Sequence, residues 1–152
     1  TSTTSGAGNS SQSSSTVQDF NLAAAGYVIR ATSVGSTAQC NCCTPSMPTC
    51  GGRTTITGLT ITDPAGAPVT VVPNGSVNQT VQLGTAGSII INEQTTAAGS
   101  ITVNALHINL TGSNGTNTNV IVASSHSDID CLSTAPTAAT RVATAASRAL
   151  AS

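Results

Sequence analysis

Residues 100–110 read Ser-Ile-Thr-Val-Asn-Ala-Leu-His-Ile-Asn-Leu, and this stretch decides the fold class. Apolar side chains alternate with polar ones along it, which is the period of a β-strand with one buried face. The alternation slips once, because the apolar residues of the two halves fall on opposite faces: Ile101 and Val103, then Leu106, Ile108 and Leu110. A bulge near Asn104, or a strand that passes between two environments, would produce this slip.

Similar patterns recur along the chain and predict further strands at 54–61, 68–72, 77–83, 88–93 and 119–125. Turn signals separate these strands, among them Asp63-Pro-Ala-Gly and Gly112-Ser-Asn-Gly. Short strands at regular spacing without intervening helices indicate an all-β domain, a β-sandwich of jelly-roll-like form with extended terminal segments.

The composition divides the chain into three parts. Residues 1–16 are rich in Ser and Thr and have the composition of a flexible tail. Residues 17–132 form the predicted sandwich, with a strand over 17–34 and a Cys-rich loop over 40–50. The strand is apolar on both faces, as in a strand covered on two sides; Phe20, Leu22, Ala24 and Val28 share one of them. Residues 133–152 are an Ala/Thr-rich tail that could be helical or extended.

The composition also excludes several classes of function. Lysine and tryptophan are absent, 38% of residues are apolar, and the net charge is −1. The four basic residues are scattered: Arg30, Arg53, Arg141 and Arg148. Phosphate neutralisation, base stacking and proton transfer need clustered charged or aromatic residues, so we expect no enzyme, no cofactor and no nucleic-acid partner. No run of 18 or more apolar residues is present, so we expect no membrane insertion.

Cysteine use points to the compartment and to cross-linking. Four of the five cysteines lie in Cys40-Asn-Cys-Cys-Thr-Pro-Ser-Met-Pro-Thr-Cys50, with Cys131 far away. A zinc site is one interpretation, although neighbouring Cys42 and Cys43 cannot easily both face one ion. Disulfides are the other, and a link from the cluster to Cys131 would close a loop worth on the order of 4 kcal/mol. Five cysteines cannot all pair within one chain, which leaves a free thiol or a bridge between subunits.

Three polar clusters are predicted at strand ends: Asn92-Glu-Gln94, Asn104-Ala-Leu-His107 and Ser124-Ser-His-Ser-Asp128. Ser125, His126 and Asp128 have the residue types of a catalytic triad, but neighbours on one strand point to opposite faces. A metal site is the second interpretation, with Glu93, His107, His126 and Asp128 as ligands. The third is a buried hydrogen-bond network that closes one end of the sandwich.

The same residues carry a family resemblance. Segments 51–61 and 77–81, Ile90-Ile-Asn-Glu-Gln, Ile101-Thr-Val-Asn-Ala-Leu-His and Val120-Ile-Val-Ala-Ser-Ser-His-Ser-Asp-Ile-Asp-Cys131 resemble the bacterial secreted "choice-of-anchor P" family over about residues 22–131. The resemblance implies a bacterial surface or extracellular location and supplies no catalytic residues. Members commonly end in a sorting or membrane anchor, and the end at Arg148-Ala-Leu-Ala-Ser152 shows neither.

These observations predict a secreted structural subunit, with copies of itself as its partner. A terminal segment would add to an open sheet edge of the next copy in an extracellular filament or surface layer. Residues 17–29 are the predicted donor, with Phe20, Leu22, Ala24 and Val28 as its apolar face, and cysteines 40–50 the cross-linking site. A monomeric or wall-associated adhesin and a metal-binding secreted domain are the alternatives.

Overall fold

The computed structural model describes residues 1–43, with the backbone alone for Cys43, and residues 47–131. Within that part the regular structure is β-strand apart from one 3-10 turn at Gly84–Ala86. The strands are β1 (Ser2–Ala7), β2 (Ser10–Ala24), β3 (Tyr27–Cys43), β4 (Met47–Thr57), β5 (Thr60–Thr62), β6 (Pro68–Val69), β7 (Gln79–Gln82), β8 (Gly87–Ala97), β9 (Ser100–Thr111) and β10 (Asn117–Asp128). The predicted all-β class is therefore confirmed.

Two antiparallel sheets form the sandwich. Sheet A has the order β1-β2-β3-β5-β6, with β4 also paired to β3, and sheet B has the order β10-β9-β8-β7. Strand β10 packs over β2 and β3, and β9 packs over β3 and β4. A jelly roll would connect strands repeatedly across the two sheets, whereas here the chain crosses once, between β6 and β7.

The slip predicted in residues 100–110 is a feature of the whole of sheet B. Asn92, Ala105 and Ala123 occupy one row across β8, β9 and β10 in which strand pairing is interrupted. Asn92 and Ala123 have φ values of 54° and 53° there. On each of these strands the inward-facing side chains occupy odd-numbered positions on one side of this row and even-numbered positions on the other. The side-chain set that faces sheet A therefore changes at the same level on all three strands.

Sheet A has a matching interruption. Asp19, Thr32 and Gly58 lie in one row across β2, β3 and the junction of β4 with β5. Asp19 and Gly58 have φ values of 52° and 65°. A Cβ atom at Gly58 would overlap the Thr32 side chain, so this position requires glycine both for its φ and for space.

The interruptions divide the core into two halves. The aliphatic half contains the larger buried side chains, among them Ile29, Val34, Ile61, Leu83, Ile89, Ile91, Leu106, Ile108 and Leu110. The small-residue half contains only Ala38, Cys40, Ile101 and Val103 as its buried apolar cluster. Buried serines lie between the sheets as well: Ser13, Ser36, Ser125 and Ser127.

Two segment predictions from the sequence are wrong. Residues 1–16 are not a tail, because they contain β1 and the part of β2 from Ser10 to Thr16. Their serines suit a place where two sheets approach closely: Ser13 Oγ donates to the His126 carbonyl at 2.6 Å, and Ser127 Oγ donates to the Ser11 carbonyl at 2.9 Å. A side chain larger than serine would hold the sheets apart here, so the composition that suggested a linker serves packing instead.

Residues 17–34 are also not one strand. A two-residue turn at Ala25 and Gly26, with φ values of 51° and 81°, joins β2 to β3. Both values are positive, as in the type I′ turn that suits a right-twisted hairpin. The Cys-rich segment 40–50 belongs to the ends of β3 and β4, which pair through Cys40 and Cys50, although residues 44–46 between them lie outside the described part. The predicted tail 133–152 lies outside it too.

Candidate functional site

Two disulfides join the ends of the small-residue half. Cys40 and Cys50 face each other across β3 and β4 with a Cα–Cα distance of 4.1 Å. Cys42 is bonded to Cys131, which follows β10, at a Cα–Cα distance of 5.5 Å. The expected link between the cluster and Cys131 is therefore present. The zinc interpretation of the cysteines fails, because these four sulfurs are bonded in two disulfide pairs and cannot act as thiolate ligands.

The two bridges leave Cys43 as the fifth cysteine. Its backbone pairs with Met47 at the end of the β3–β4 hairpin, while its side chain lies outside the described part. No further cysteine of this chain remains to bond with it.

The outer face of sheet B carries a connected set of polar side chains centred on Glu93. Asn104 Nδ2 donates to Glu93 Oε2 at 2.7 Å, and Ser124 Oγ donates to Asn104 Oδ1 at 2.7 Å. His107 Nδ1 lies 2.9 Å from Glu93 Oε1. The strand register explains the set, since Glu93, Asn104 and Ser124 share a row next to the interruption.

This arrangement favours the ionised form of the Glu93 carboxyl. Burial of Glu93 opposes its ionisation, but the hydrogen bonds from Asn104 and His107 and the charge of His107 outweigh burial and hold the pKa of Glu93 below its usual value. The far nitrogen of His107, Nε2, lies 3.2 Å from Asn109 Nδ2 and 3.3 Å from Asn119 Oδ1. A neutral ring can thus accept from Asn109 and a protonated ring can donate to Asn119. The set accommodates both forms of the histidine.

The other predicted site residues do not join this set. His126 is exposed, and its Nδ1 lies 2.8 Å from Thr102 Oγ1. Ser125 is buried on the inner face, so it points away from His126 as expected for neighbours on a strand. Asp128 is exposed at the end of β10. Among the described residues no three His, Cys, Asp or Glu side chains come together as metal ligands, so Glu93, His107, His126 and Asp128 are not one site.

Two of the three polar clusters differ in position from the prediction. Asn92-Glu-Gln94 and Asn104-Ala-Leu-His107 lie at the interruption of sheet B, in the interior of β8 and β9, whereas Ser124-Ser-His-Ser-Asp128 runs from that interruption to the end of β10. Inward-facing Asn92 donates through Nδ2 to the carbonyls of Gly75 and Ser76, both at 3.3 Å. Gln94 Nε2 donates to the Gly52 carbonyl at 2.9 Å, which ties sheet B to sheet A. The contacts of Asn92 and Gln94 and those of the Glu93 set are of the kind that a structural hydrogen-bond network makes. Both groups lie in the middle of sheet B.

The predicted donor residues are paired within their own chain. Phe20, Leu22 and Ala24 pair with β3 and pack against the aliphatic half of the core. Val28 lies after the Ala25-Gly26 turn, on β3, and does not continue their face. Segment 17–29 therefore forms an internal hairpin in this structure, and the donor role of Phe20, Leu22, Ala24 and Val28 stays a prediction.

Strand β1 is attached differently, and the sequence reasoning missed it. All six of its residues are exposed, and its extensive contacts are with β2 alone. It is held by main-chain pairing from Ser2↔Ser15 to Ala7↔Ser10 and by the hydrogen bond between Thr3 Oγ1 and Ser14 Oγ at 2.7 Å. The Gly8-Asn9 dipeptide between two Ser/Thr runs was the available hairpin signal.

No family model, no curated protein and no solved structure matches this chain. Among the described residues no helix has the length and apolarity to cross a membrane.

Proposed function

We propose that this chain is a structural subunit of an extracellular self-assembling filament or surface layer, and that copies join by exchange of β1. The observation that carries the proposal is the attachment of this strand: six exposed residues held to β2 without burial of a large apolar side chain. Its release costs main-chain hydrogen bonds that an identical strand from another copy restores.

The turn before β2 suits such an exchange. Gly8 has a φ of 55° and forms a two-residue loop with Asn9. If this turn straightens, β1 and β2 become one extended segment of about 23 residues, or roughly 75 Å at 3.3 Å per residue. The β1 end of that segment then reaches the vacated edge of a neighbouring β2, and repetition of this head-to-tail contact produces an open polymer.

A second edge of the sandwich is less open. The backbone of β10 accepts a hydrogen bond from Ser13 Oγ at the His126 carbonyl, so β2 side chains occupy part of that edge. Exposed edges invite pairing unless they are covered. The edge of β2, which is covered by β1 alone as far as Thr16, where Thr1 and Thr16 exchange main-chain hydrogen bonds of 2.8 Å, is therefore the better acceptor.

The cysteines support the compartment and the durability of this assembly. Two disulfides fit an oxidising environment such as the cell surface, in agreement with the location that the family resemblance implies. Cys43, outside both bridges, supplies a thiol for a bond between copies in a finished fibre. On non-reducing electrophoresis such bonds would give a dimer that collapses to a monomer with reductant, because each chain contributes one sulfur.

Two opposite perturbations of β1 test the proposal. Deletion of residues 1–7 removes the donor and is expected to leave monomers, whereas Gly8→Pro prevents the positive φ of the closed turn and is expected to favour exchange at lower protein concentration. Gly115→Pro is the matched control, since Gly115 has a φ of 79° and open space around its Cβ position but lies in the β9–β10 turn.

Size-exclusion chromatography with light scattering and negative-stain microscopy are the measurements. The full chain should form linear assemblies as concentration rises, and Gly115→Pro should assemble as the full chain does. Assembly of the deletion variant to the same extent as the full chain would exclude β1 exchange. A full chain and a Gly8→Pro variant that both stay monomeric would favour the adhesin alternative, and a stoichiometric metal in the native protein would favour the metal-binding one.

A further inference from the structure

A polar groove of about 440 Å³ lies on the outer face of sheet A, beside β1, whose Ser5 pairs with Gln12 of the lining, and apart from the Glu93 set on sheet B. It is lined by Gln12, Thr37, Gln39, Asn41, Thr49, Cys50, Gly51, Gly52 and Arg53. Its volume falls within the range of small-molecule sites.

The strand register arranges the lining residues as a grid. One row across β2, β3 and β4 contains Gln12, Gln39 and Gly51, and the rows on either side bring Asn41 next to Thr49 and Thr37 next to Arg53. Neighbouring strands are about 4.8 Å apart, so the row presents amide and hydroxyl groups side by side across the groove. The Cys40–Cys50 bond crosses β3 and β4 one residue from Gly51 and fixes this floor.

The two glycines of the groove, Gly51 and Gly52, differ in what a side chain at their positions would contact. A Cβ atom at Gly52 would overlap Val103 Cγ2, so packing of the two sheets requires glycine there. A Cβ atom at Gly51 would meet nothing within 4 Å, and Gly51 is not among the residues with positive φ. Glycine inside a strand costs stability, and a site where a ligand approaches the backbone is one of its recognised causes. Packing leaves Gly51 unexplained, whereas an occupied groove explains it.

Arg53 supplies the charge of the groove. It is the only charged residue of the lining, and within the described part of the chain its guanidinium has no hydrogen-bond or ion-pair partner. Arg30, on the same sheet, instead donates from Nε to Asn21 Oδ1 at 3.2 Å. A guanidinium fork matches a carboxylate with two parallel hydrogen bonds.

We propose that this groove binds a saccharide that carries a carboxylate, such as a uronic-acid unit of a glycan. Arg53 pairs with the carboxylate, the amides of Gln12, Gln39 and Asn41 exchange hydrogen bonds with ring hydroxyls, and the absent side chain of Gly51 leaves room for the ring. Gln12 is the one lining residue on β2, beside Ser5 of β1, and the lining residues of β3 and β4 take no part in strand exchange, so a fibre and a single subunit would both carry the groove.

Titration of the full chain by NMR and calorimetry tests this site, at a concentration where chromatography shows a monomer. The probes are a β-1,4-linked diglucuronate and the neutral cellobiose. Diglucuronate should bind with saturable amide shifts at Gly51 and Gln39, with an affinity that falls as salt rises, while cellobiose binds more weakly. Arg53→Gln should weaken diglucuronate binding roughly 10- to 100-fold, the value of a lost charged hydrogen bond.

Two further variants separate the site from the fold. Gly51→Val fills the groove without removing charge and should abolish binding of both sugars, and Arg30→Gln should bind as the unaltered chain does. Equal affinity for the two sugars, full affinity in Arg53→Gln, or no saturable shift in the groove at tens of millimolar probe would each overturn the proposal. Arg53-dependent association of copies without sugar binding would overturn it too. All of these results are obtained on the monomer with variants at Arg53, Gly51 and Arg30, none of which lies on β1 or β2, so a failure of strand exchange would be seen separately.

Discussion

Removal of the Cys42–Cys131 bond should destabilise this protein more than removal of Cys40–Cys50. The first bond joins residues 89 apart in sequence and the second joins residues 10 apart. The chain-entropy relation gives about 4.6 kcal/mol for the longer loop and about 2.8 kcal/mol for the shorter one. Since small domains are stable by about 5–15 kcal/mol in total, loss of the longer bond would leave a marginal fold.

The burial of Cys40 reduces the expected difference in stability between the two disulfide variants. Cys40 is fully buried, whereas Cys42 and Cys131 are half-buried. Truncation of Cys40 to alanine therefore adds a cavity cost of roughly 1 kcal/mol to the shorter-loop variant. The expected difference in the free energy of unfolding between the two variants is then about 1 kcal/mol. The denaturant slope m provides a second measure, because a chain freed from the longer loop exposes more surface on unfolding.

The assay compares Cys42→Ala/Cys131→Ala with Cys40→Ala/Cys50→Ala, both in a Cys43→Ser background that prevents exchange of thiols. Guanidinium unfolding is followed by far-UV circular dichroism and by the fluorescence of the one tyrosine, Tyr27, whose hydroxyl donates to the Leu83 carbonyl at 3.1 Å. Equal m values in the two variants, or a larger loss of stability in the Cys40–Cys50 variant, would refute the loop-entropy reasoning.

Three further predictions concern single residues. Glu93→Gln should reduce the loss of stability at acid pH. Because the folded-state pKa of Glu93 is lowered, the stability that its carboxylate contributes is complete above about pH 4.3 and is lost as pH falls through the folded-state pKa. Urea unfolding between about pH 2 and 6 would show this difference. Gly52→Ala should lose about 1–3 kcal/mol through overlap with Val103, whereas Gly51→Ala should be neutral or slightly stabilising; equal thermal denaturation midpoints would contradict this. Ala25→Asn should gain about 1 kcal/mol, because asparagine tolerates the φ of 51° better, and a lowered midpoint would argue against the type I′ turn.

Much of the fold could be predicted because strands and turns are local signals. Alternation located β8 to β10 to within a few residues, and Asp63 and Gly112 begin turns as expected. The slip near Asn104 was visible because both apolar runs on β9 are long enough to define a face. That it extends across β8 and β10 could not be seen, since it depends on pairing between distant segments.

The errors have separate physical origins. Serine was interpreted as a residue of solvent-exposed linkers, yet in β2 it contacts the opposite sheet where the layers are close. Ala25 gave no turn signal because alanine seldom adopts positive φ. The groove at Gly51 was not predictable either, since its rows combine residues from β2, β3 and β4 whose register the sequence does not state.

The placement of the disulfides follows from the division of the core. The aliphatic half buries many branched side chains, whereas the small-residue half has a buried apolar cluster of four residues and relies on serines that contribute little apolar area. Both bridges lie in this second half, where burial alone stabilises the sheets least. The same half carries β1 and the groove over Gly51. Cross-links thus hold β3 to β4 beneath the groove and β3 to the segment after β10, while no bridge reaches β1, which fits the strand exchange proposed for it.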